Sequence, residues 1–389
     1  MTVRTAVVVG AGIGGLAAGV ALVRRGWLVT VLERAPVLGE VGAGLTLMSN
    51  ALRGLDALGL AQAVRAQGRV DTPGGTRTST GRWLSRIDSV AITRELGTAA
   101  LGIHRATLHR ILREALPAAS LVTGAEVVDV LPGPPARLTY LHRGRRQTVE
   151  PDLVVGADGL RSMLRSRLWP AHPAPVYAGS TTWRGVTRQR WDGELVTAIS
   201  WGPGAEFGMV PLGDGRVYWY AAVNAPPGQR DADGMSTVSG RFGSWHDPIP
   251  ALLAATAADT VIRDDIHCLD APLPSYVRGR VVLLGDAAHA MTPNLGQGAG
   301  QAIEDAVVLG AVCGPDSGLG AALVAYDGQR RPRTQRMARA ARLIVRFGQQ
   351  LEQPFAVAAR NTLMRLTPSR TALRSMARYA RWEPPDGPR

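Results

Sequence analysis

Near the start of the chain runs Thr5-Ala-Val-Val-Val9-Gly10-Ala-Gly12-Ile-Gly14-Gly15, then an Ala/Leu-rich run to Arg25 and a second apolar run at 28–32 closed by Glu33. Residues 5–9 are apolar throughout, the pattern of a parallel strand covered on both faces. The glycines fit a strand-to-helix turn. The first permits the tight turn, the second lets backbone approach a pyrophosphate, and the last lets helix and strand pack closely. The helix start would then offer free N–H groups and a positive dipole end to phosphates. Glu33, at the end of the second strand, is placed to accept both hydroxyls of an adenosine ribose and to disfavour a 2′-phosphate. These residues predict one βαβ unit with a dinucleotide site.

Outward from that unit, helices are expected at about 50–67 and 105–116, the second stopped by Pro117. Between 177 and 224 the texture changes to short alternating runs rich in Trp, Tyr, Val and Thr, at 180–186, 195–201, 206–211 and 216–223. The last two flank Gly213-Asp214-Gly215, a hairpin signal. This middle region reads as an antiparallel sheet. A parallel-type strand returns at Val281, so the first domain is discontinuous with the sheet inserted into it. Helices are expected at 298–312 and over 318–382, the latter broken at Pro332, Pro354 and Pro368.

At 389 residues the chain is long enough for two or three interlocked domains. No basic stretch followed by an apolar segment precedes residue 5, no apolar run approaches a membrane span, and Cys268 and Cys313 are too few for a disulfide framework. A cytoplasmic protein is expected, with both thiols inert in the core. The formal charge of +13 raises nucleic acid as a partner, yet residues 330–389 hold 14 Arg against 3 acidic residues, so the excess belongs to one helical tail. Without zinc-finger spacing or an aromatic-interleaved basic sheet, neither nucleic acid nor a metal is expected, and a membrane partner is not favoured. Met337, Ile344, Phe347 and Leu351 share one helical face, read as packed on the first domain or on a second subunit of a homodimer. All 44 cationic side chains are Arg, which removes Schiff-base chemistry.

Two further segments carry chemistry. Asp152-Leu-Val-Val-Gly-Ala-Asp158-Gly159 is an apolar strand ending in Asp-Gly, with Arg161 and Arg165 beyond it. Gly279-Arg-Val-Val-Leu-Leu-Gly285-Asp286-Ala-Ala-His289 is a second, followed by Pro293-Asn-Leu-Gly-Gln-Gly298-Ala299-Gly300 and a helix. With these motifs in this order the chain resembles, over nearly its whole length, the flavoprotein aromatic hydroxylases: the p-hydroxybenzoate and salicylate hydroxylase family, including FAD-dependent urate hydroxylase.

The resemblance implies an α/β fold: a Rossmann-type FAD-binding domain (1–69, 101–174 and 265–290), an inserted antiparallel β-sheet substrate domain (70–100 and 175–264), and a flavin-contacting loop with C-terminal helices (291–389). It implies a single-component monooxygenase holding FAD non-covalently, with NADH or NADPH as transient co-substrate. Hydride reduces the flavin, oxygen adds at C4a, and the hydroperoxide hydroxylates a small aromatic or polycyclic molecule. An epoxidase, N-hydroxylase or dehydrogenase of the same fold is the alternative; halogenases of this fold need a lysine that this chain lacks.

By the same resemblance the cofactor residues are Gly10, Gly12, Gly14, Gly15, Glu33, Arg34, Arg105 near the pyrophosphate and ring system, Val127 through backbone at the adenine, Asp158, Asp286 at the ribityl hydroxyls, and Gly298 and Ala299 facing the flavin pyrimidine. Pro293, through its rigidity and carbonyl, and Tyr218, on the sheet, take the catalytic positions. Urate-oxidising members carry Arg where this chain has Glu206, and Asp where it has Asn294, so urate is not expected. Ser49 replaces a bulkier residue beside the expected ring system, which predicts a substrate larger than benzoate. His289 is read as packing within its loop.

Overall fold

The computed structural model describes residues 3–39, 43–71, 74–86, 89–231 and 233–385. The other positions of the expected ranges lie outside the described residues.

The apolar strand Thr5–Val9 sits inside a six-stranded sheet, pairing in parallel with Leu28–Glu33 on one side and Leu153–Gly156 on the other. Burial on both faces is what its sequence requires. Val281–Leu283 adds in parallel beyond Leu153–Gly156, and Leu121–Thr123 beyond Leu28–Glu33, so four separated stretches build one sheet. The chain returns to this sheet at Val281 as the sequence predicts.

Two helices lie side by side against it. Ile13–Val23 follows the glycine turn and Gly298–Val312 follows the second glycine-rich segment. A Cβ on Gly14 would come 3.1 Å from the Ala302 side chain, and one on Gly310 would come 2.9 Å from that of Ala21. Residues 14 and 21 thus meet 302 and 310 in the same order, and the helices run parallel with both N-termini at one end. That end adjoins the carboxyl ends of Thr5–Val9 and Leu153–Gly156, where α/β sheets bind ligands.

The second layer is a seven-stranded sheet whose central strands are Val176–Val186, Val217–Asn224, Ala205–Pro211 and Ile199–Gly202, antiparallel in that order. Gly75–Thr78 and Trp83–Arg86 complete its edge. Its faces alternate as the period-2 pattern demands. Trp183, Phe207, Met209, Val217 and Trp219 bury against the helices Gly234–Phe242 and Ile249–Ala254. Glu206, Gly208, Val210, Tyr218 and Tyr220 occupy the other face, toward the strands Gly44–Leu47 and Ala100–His104. A Cβ on Gly44 would lie 2.5 Å from Tyr218, and one on Gly102 would lie 2.1 Å from the Pro211 carbonyl oxygen.

One expectation at the C-terminus fails, and a second is met only in part. The helix Leu319–Phe347 continues through Pro332. Arg330 and Thr334, on either side of the proline, are fully buried and hydrogen-bonded, and this anchoring outweighs the cost of one missing backbone bond. Of the expected apolar face, Met337 is buried but Phe347 is 61% exposed. The buried stripe instead follows Thr334, Met337, Ala341 and Val345. Pro354 and Pro368 do start new helices, Pro354–Leu366 and Ser369–Ala380. Among the described residues no helix is long and apolar enough to cross a membrane.

Candidate functional site

At the first glycine turn the backbone dictates residue type. Gly10 has φ +100°, and a Cβ on Gly15 would lie 1.9 Å from the Gly10 carbonyl oxygen, so no side chain fits there. Gly12, by contrast, faces open space, with nothing within 4 Å of its would-be Cβ. Glu33 ties the turn to the strand end: its two carboxylate oxygens accept from the N–H groups of Ala11 and Ala35, each at 2.8 Å. Each oxygen keeps a further lone pair for ribose hydroxyls. Arg34 is exposed beside it. His109, which sequence reasoning missed, brings Nε2 to 2.6 Å from the Ala11 carbonyl; its spacing of four from Arg105 on one helix was the available signal.

Val127 lies on the strand Ala125–Leu131, whose pairing skips a residue between Val127 and Asp129. That bulge leaves backbone groups unpaired there, the feature that a backbone contact to adenine needs. Asp158 is committed locally: Ser162 Oγ donates to it at 2.6 Å and the Leu164 N–H at 3.1 Å. Burial raises its carboxyl above the usual range against those two donors. Arg165 is buried and joins this corner to the Asp286 segment by donating to the Ala287 carbonyl at 2.9 Å. Asp286 is the exposed residue in a run, 281–290, that is otherwise buried, so its carboxylate faces outward from the strand end.

The second glycine-rich segment ends with free helix N–H groups. A single turn, Pro293–Leu295, closes at left-handed Gly296, and Gly298 then opens its helix with nothing within 4 Å of its would-be Cβ. The first-turn amides of Gly298 and Ala299 have no acceptor within their own helix, and the approach to Gly298 is open. The Pro293 carbonyl accepts from Gly296 N–H at 2.7 Å, which holds the turn and leaves the oxygen a second lone pair. An adenine dinucleotide with a ring system fits this arrangement: two parallel helix N-termini, two open glycine approaches, and acidic side chains at two strand ends.

The sheet side meets that loop at Glu206. Glu206 is buried; it accepts from Trp201 Nε1 at 2.7 Å and is hydrogen-bonded by Tyr220 and Asn294. Burial raises its carboxyl above the usual range, opposed by those three bonds. Tyr218 is one pair further along the same face, its ring 6.3 Å from that of Tyr220. Burial pushes its hydroxyl up to about 12 despite the positive charges of Arg184 and Arg105. Those charges place Arg105, at the start of its helix, electrostatically next to Tyr218. Arg184 shares the face and is ion-paired with Asp264, while Trp183 points to the opposite face.

The structure thus joins Pro293-Asn294, Glu206, Tyr220, Tyr218 and Arg105 in one connected cluster, linking residues that were separate in sequence. Ser49 departs from expectation. Its hydroxyl donates to the Ala380 carbonyl at 2.8 Å, so the last turn of the C-terminal helix takes the space that the smaller side chain was expected to leave. His289 packs as expected, with Nε2 at 2.6 Å from Asp305.

The family model described as "FAD binding domain" matches residues 3–341. The chain belongs to this family of FAD-binding proteins. It is 41% identical over 372 residues to the aurachin C monooxygenase/isomerase of Stigmatella aurantiaca, covering 94% of each chain. It is 33% identical to the 2-heptyl-3-hydroxy-4(1H)-quinolone synthase of Pseudomonas aeruginosa, again with 94% of each chain covered. Among solved structures, Klebsiella pneumoniae HpxO complexed with FAD and uric acid superposes with a TM-score of 0.88 at 28% identity, over 97% of this chain and 96% of that one. This flavoprotein is an FAD-dependent monooxygenase with the p-hydroxybenzoate hydroxylase-like fold.

Proposed function

We propose that this monooxygenase hydroxylates an aromatic or polycyclic small molecule held between the flavin and the sheet face of Tyr218, using NADH or NADPH and O2 as co-substrates. The observation that carries the reading is the contact of Asn294 with Glu206, which brings the loop before Gly298 against that sheet face. The names of the aurachin and quinolone relatives support a ring system larger than benzoate. In this reading the residues at 10–15, Glu33, Arg34 and Val127 hold the adenosine and pyrophosphate, Asp286 the ribityl chain, and Arg105, Gly298 and Ala299 the ring end. Asp158 acts through the corner it caps. FAD, when bound, supplies hydride acceptance and oxygen activation.

The chain's own tasks follow from its groups. The Gly298 and Ala299 amides, at a positive helix end, stabilise negative charge on the ring edge they face. Tyr218 keeps its proton at neutral pH and positions substrate as a hydrogen-bond donor, while the Tyr218, Val210 and Ala43 cluster excludes water. We assign 1–69, 101–174 and 265–290 to the cofactor, 70–100 and 175–264 to the substrate, and 291–389 to the flavin-contacting loop and C-terminal helices. Two buried free cysteines support a cytoplasmic setting, and half-exposed Leu343 with Phe347 supports a homodimer.

The test is reconstitution of purified protein with FAD, followed by anaerobic reduction with NADH and NADPH in the presence of ring compounds. Accelerated flavin reduction, and NAD(P)H-coupled oxygen uptake in air, are expected. Protein that takes up no flavin ends the proposal. Gly15→Ala, whose methyl group would overlap the Gly10 carbonyl, is expected to purify colourless while Gly12→Ala, facing open space, loses affinity without displacing the turn.

A further inference from the structure

The cluster around Glu206 has more acceptors than donors. An ionised carboxylate has about four lone-pair positions; three partners reach this one, namely Trp201 Nε1–H, the Tyr220 hydroxyl and Asn294. Trp201 can only donate. Next to it the Asn294 Oδ1 atom is buried with no hydrogen-bond partner among the described residues, and so is Thr292 Oγ1 two positions earlier in the same loop. A buried amide oxygen left without a donor is costly, so the Asn294 Oδ1 atom beside Glu206 is an arrangement that a ligand donor would complete. A cation on the same sheet face, Arg184, is already ion-paired with Asp264.

We infer that Glu206 and Asn294 form a recognition subsite for the N–H or O–H donor edge of a neutral ring substrate, and that Glu206 excludes substrates bearing a carboxylate there. The inference rests on the monooxygenase reading and narrows its substrate class. A carboxylate substrate would bring like charge, or a second acceptor, against a carboxyl already buried at 3% exposure. A lactam-type N–H supplies the missing donor without charge.

Three probes on one ring framework separate the terms: 4(1H)-quinolone, with the donor; 1-methyl-4-quinolone, without it; and quinoline-4-carboxylate, with an anion. Binding to the FAD-loaded enzyme is read from perturbation of the flavin absorbance, with flavin content and NAD(P)H reduction measured on each sample. The wild-type enzyme is expected to bind 4(1H)-quinolone about tenfold or more tighter than either other probe, the worth of one hydrogen bond to a charged group. Glu206→Leu should bring the first two probes within about twofold of each other. Glu206→Gln, which keeps the shape and one acceptor oxygen, should retain an intermediate preference and lose the exclusion of the carboxylate. A wild-type enzyme that binds the carboxylate as tightly as the quinolone, or binds no quinolone while loaded with flavin, overturns the inference; so does unchanged discrimination in both variants. Failure to load flavin or to accept hydride counts against the monooxygenase reading instead.

Discussion

Two places where charged side chains are buried in this protein are solved in opposite ways. Behind the second glycine-rich segment, Glu304 and Asp305 lie on the inward side of the Gly298–Val312 helix, fully buried, with two arginines as partners. Arg330 donates to Asp305 and to Glu304, each at 2.6 Å, and Arg333 to Glu304 at 2.6 Å. Asn50, Gln301 and the Gly285 N–H complete the set. The charges balance, and Asp305 is held down at about 2 by His289 and Arg330 against its burial. Arg330 is pushed up by the two carboxylates. On the sheet face, Glu206 is as deeply buried but has no cation among its partners, and its carboxyl is raised. Compensated charge knits helices together, whereas uncompensated charge beside orphaned acceptors suits reading a ligand.

The contrast predicts unequal responses to mutation. Arg330→Met, which takes from Asp305 its arginine and from Glu304 one of its two, should lower the unfolding free energy of the holoenzyme in urea by about 3–5 kcal/mol; a loss below about 1 kcal/mol would erase the distinction. Glu206→Gln should act in the opposite direction, by an amount that depends on pH. Because the folded-state carboxyl is raised, Glu206 favours folding fully below its ordinary value of 4.5 and loses that contribution as pH climbs through the raised value. The variant should therefore match wild type in thermal stability near pH 4.5 and exceed it at pH 8, by about 1.4 kcal/mol for each unit of upward shift. A variant less stable than wild type at pH 8 would show the Glu206 cluster to be structural. Asp305 has the reverse dependence: its contribution is present above 3.8 and fades as pH falls toward about 2. The smallest effect belongs to the exposed pair Arg110 and Glu114, where Arg110→Ala should cost under about 0.5 kcal/mol in the same urea titration.

The same comparison explains which parts of the site were legible in sequence. The glycine turn was, because each glycine there answers to a local steric demand that survives in one dimension. The two faces of the sheet were legible too, since alternation in Ala205–Pro211 and Val217–Asn224 put Glu206, Val210, Tyr218 and Tyr220 together without coordinates. Glu206 and Asn294 were visible as separate departures from the family pattern, yet their contact spans 88 residues and belongs to no periodicity. The Glu304–Asp305 pair had a signal, two acids inside an apolar helix, but its arginines lie about 25 residues away on another element.

Sequence by itself determined the βαβ unit, the cofactor class, the inserted sheet and the helix after Gly298, because strands, helices and tight turns follow from neighbours along the chain. Tertiary structure alone decided that Pro332 stays inside a helix, that Ala380 fills the space beside Ser49, and that a buried carboxyl from the sheet closes on the loop beside the flavin site. Those outcomes depend on which surfaces meet and on whether buried charge finds a counter-charge, and neither is written in local spacing.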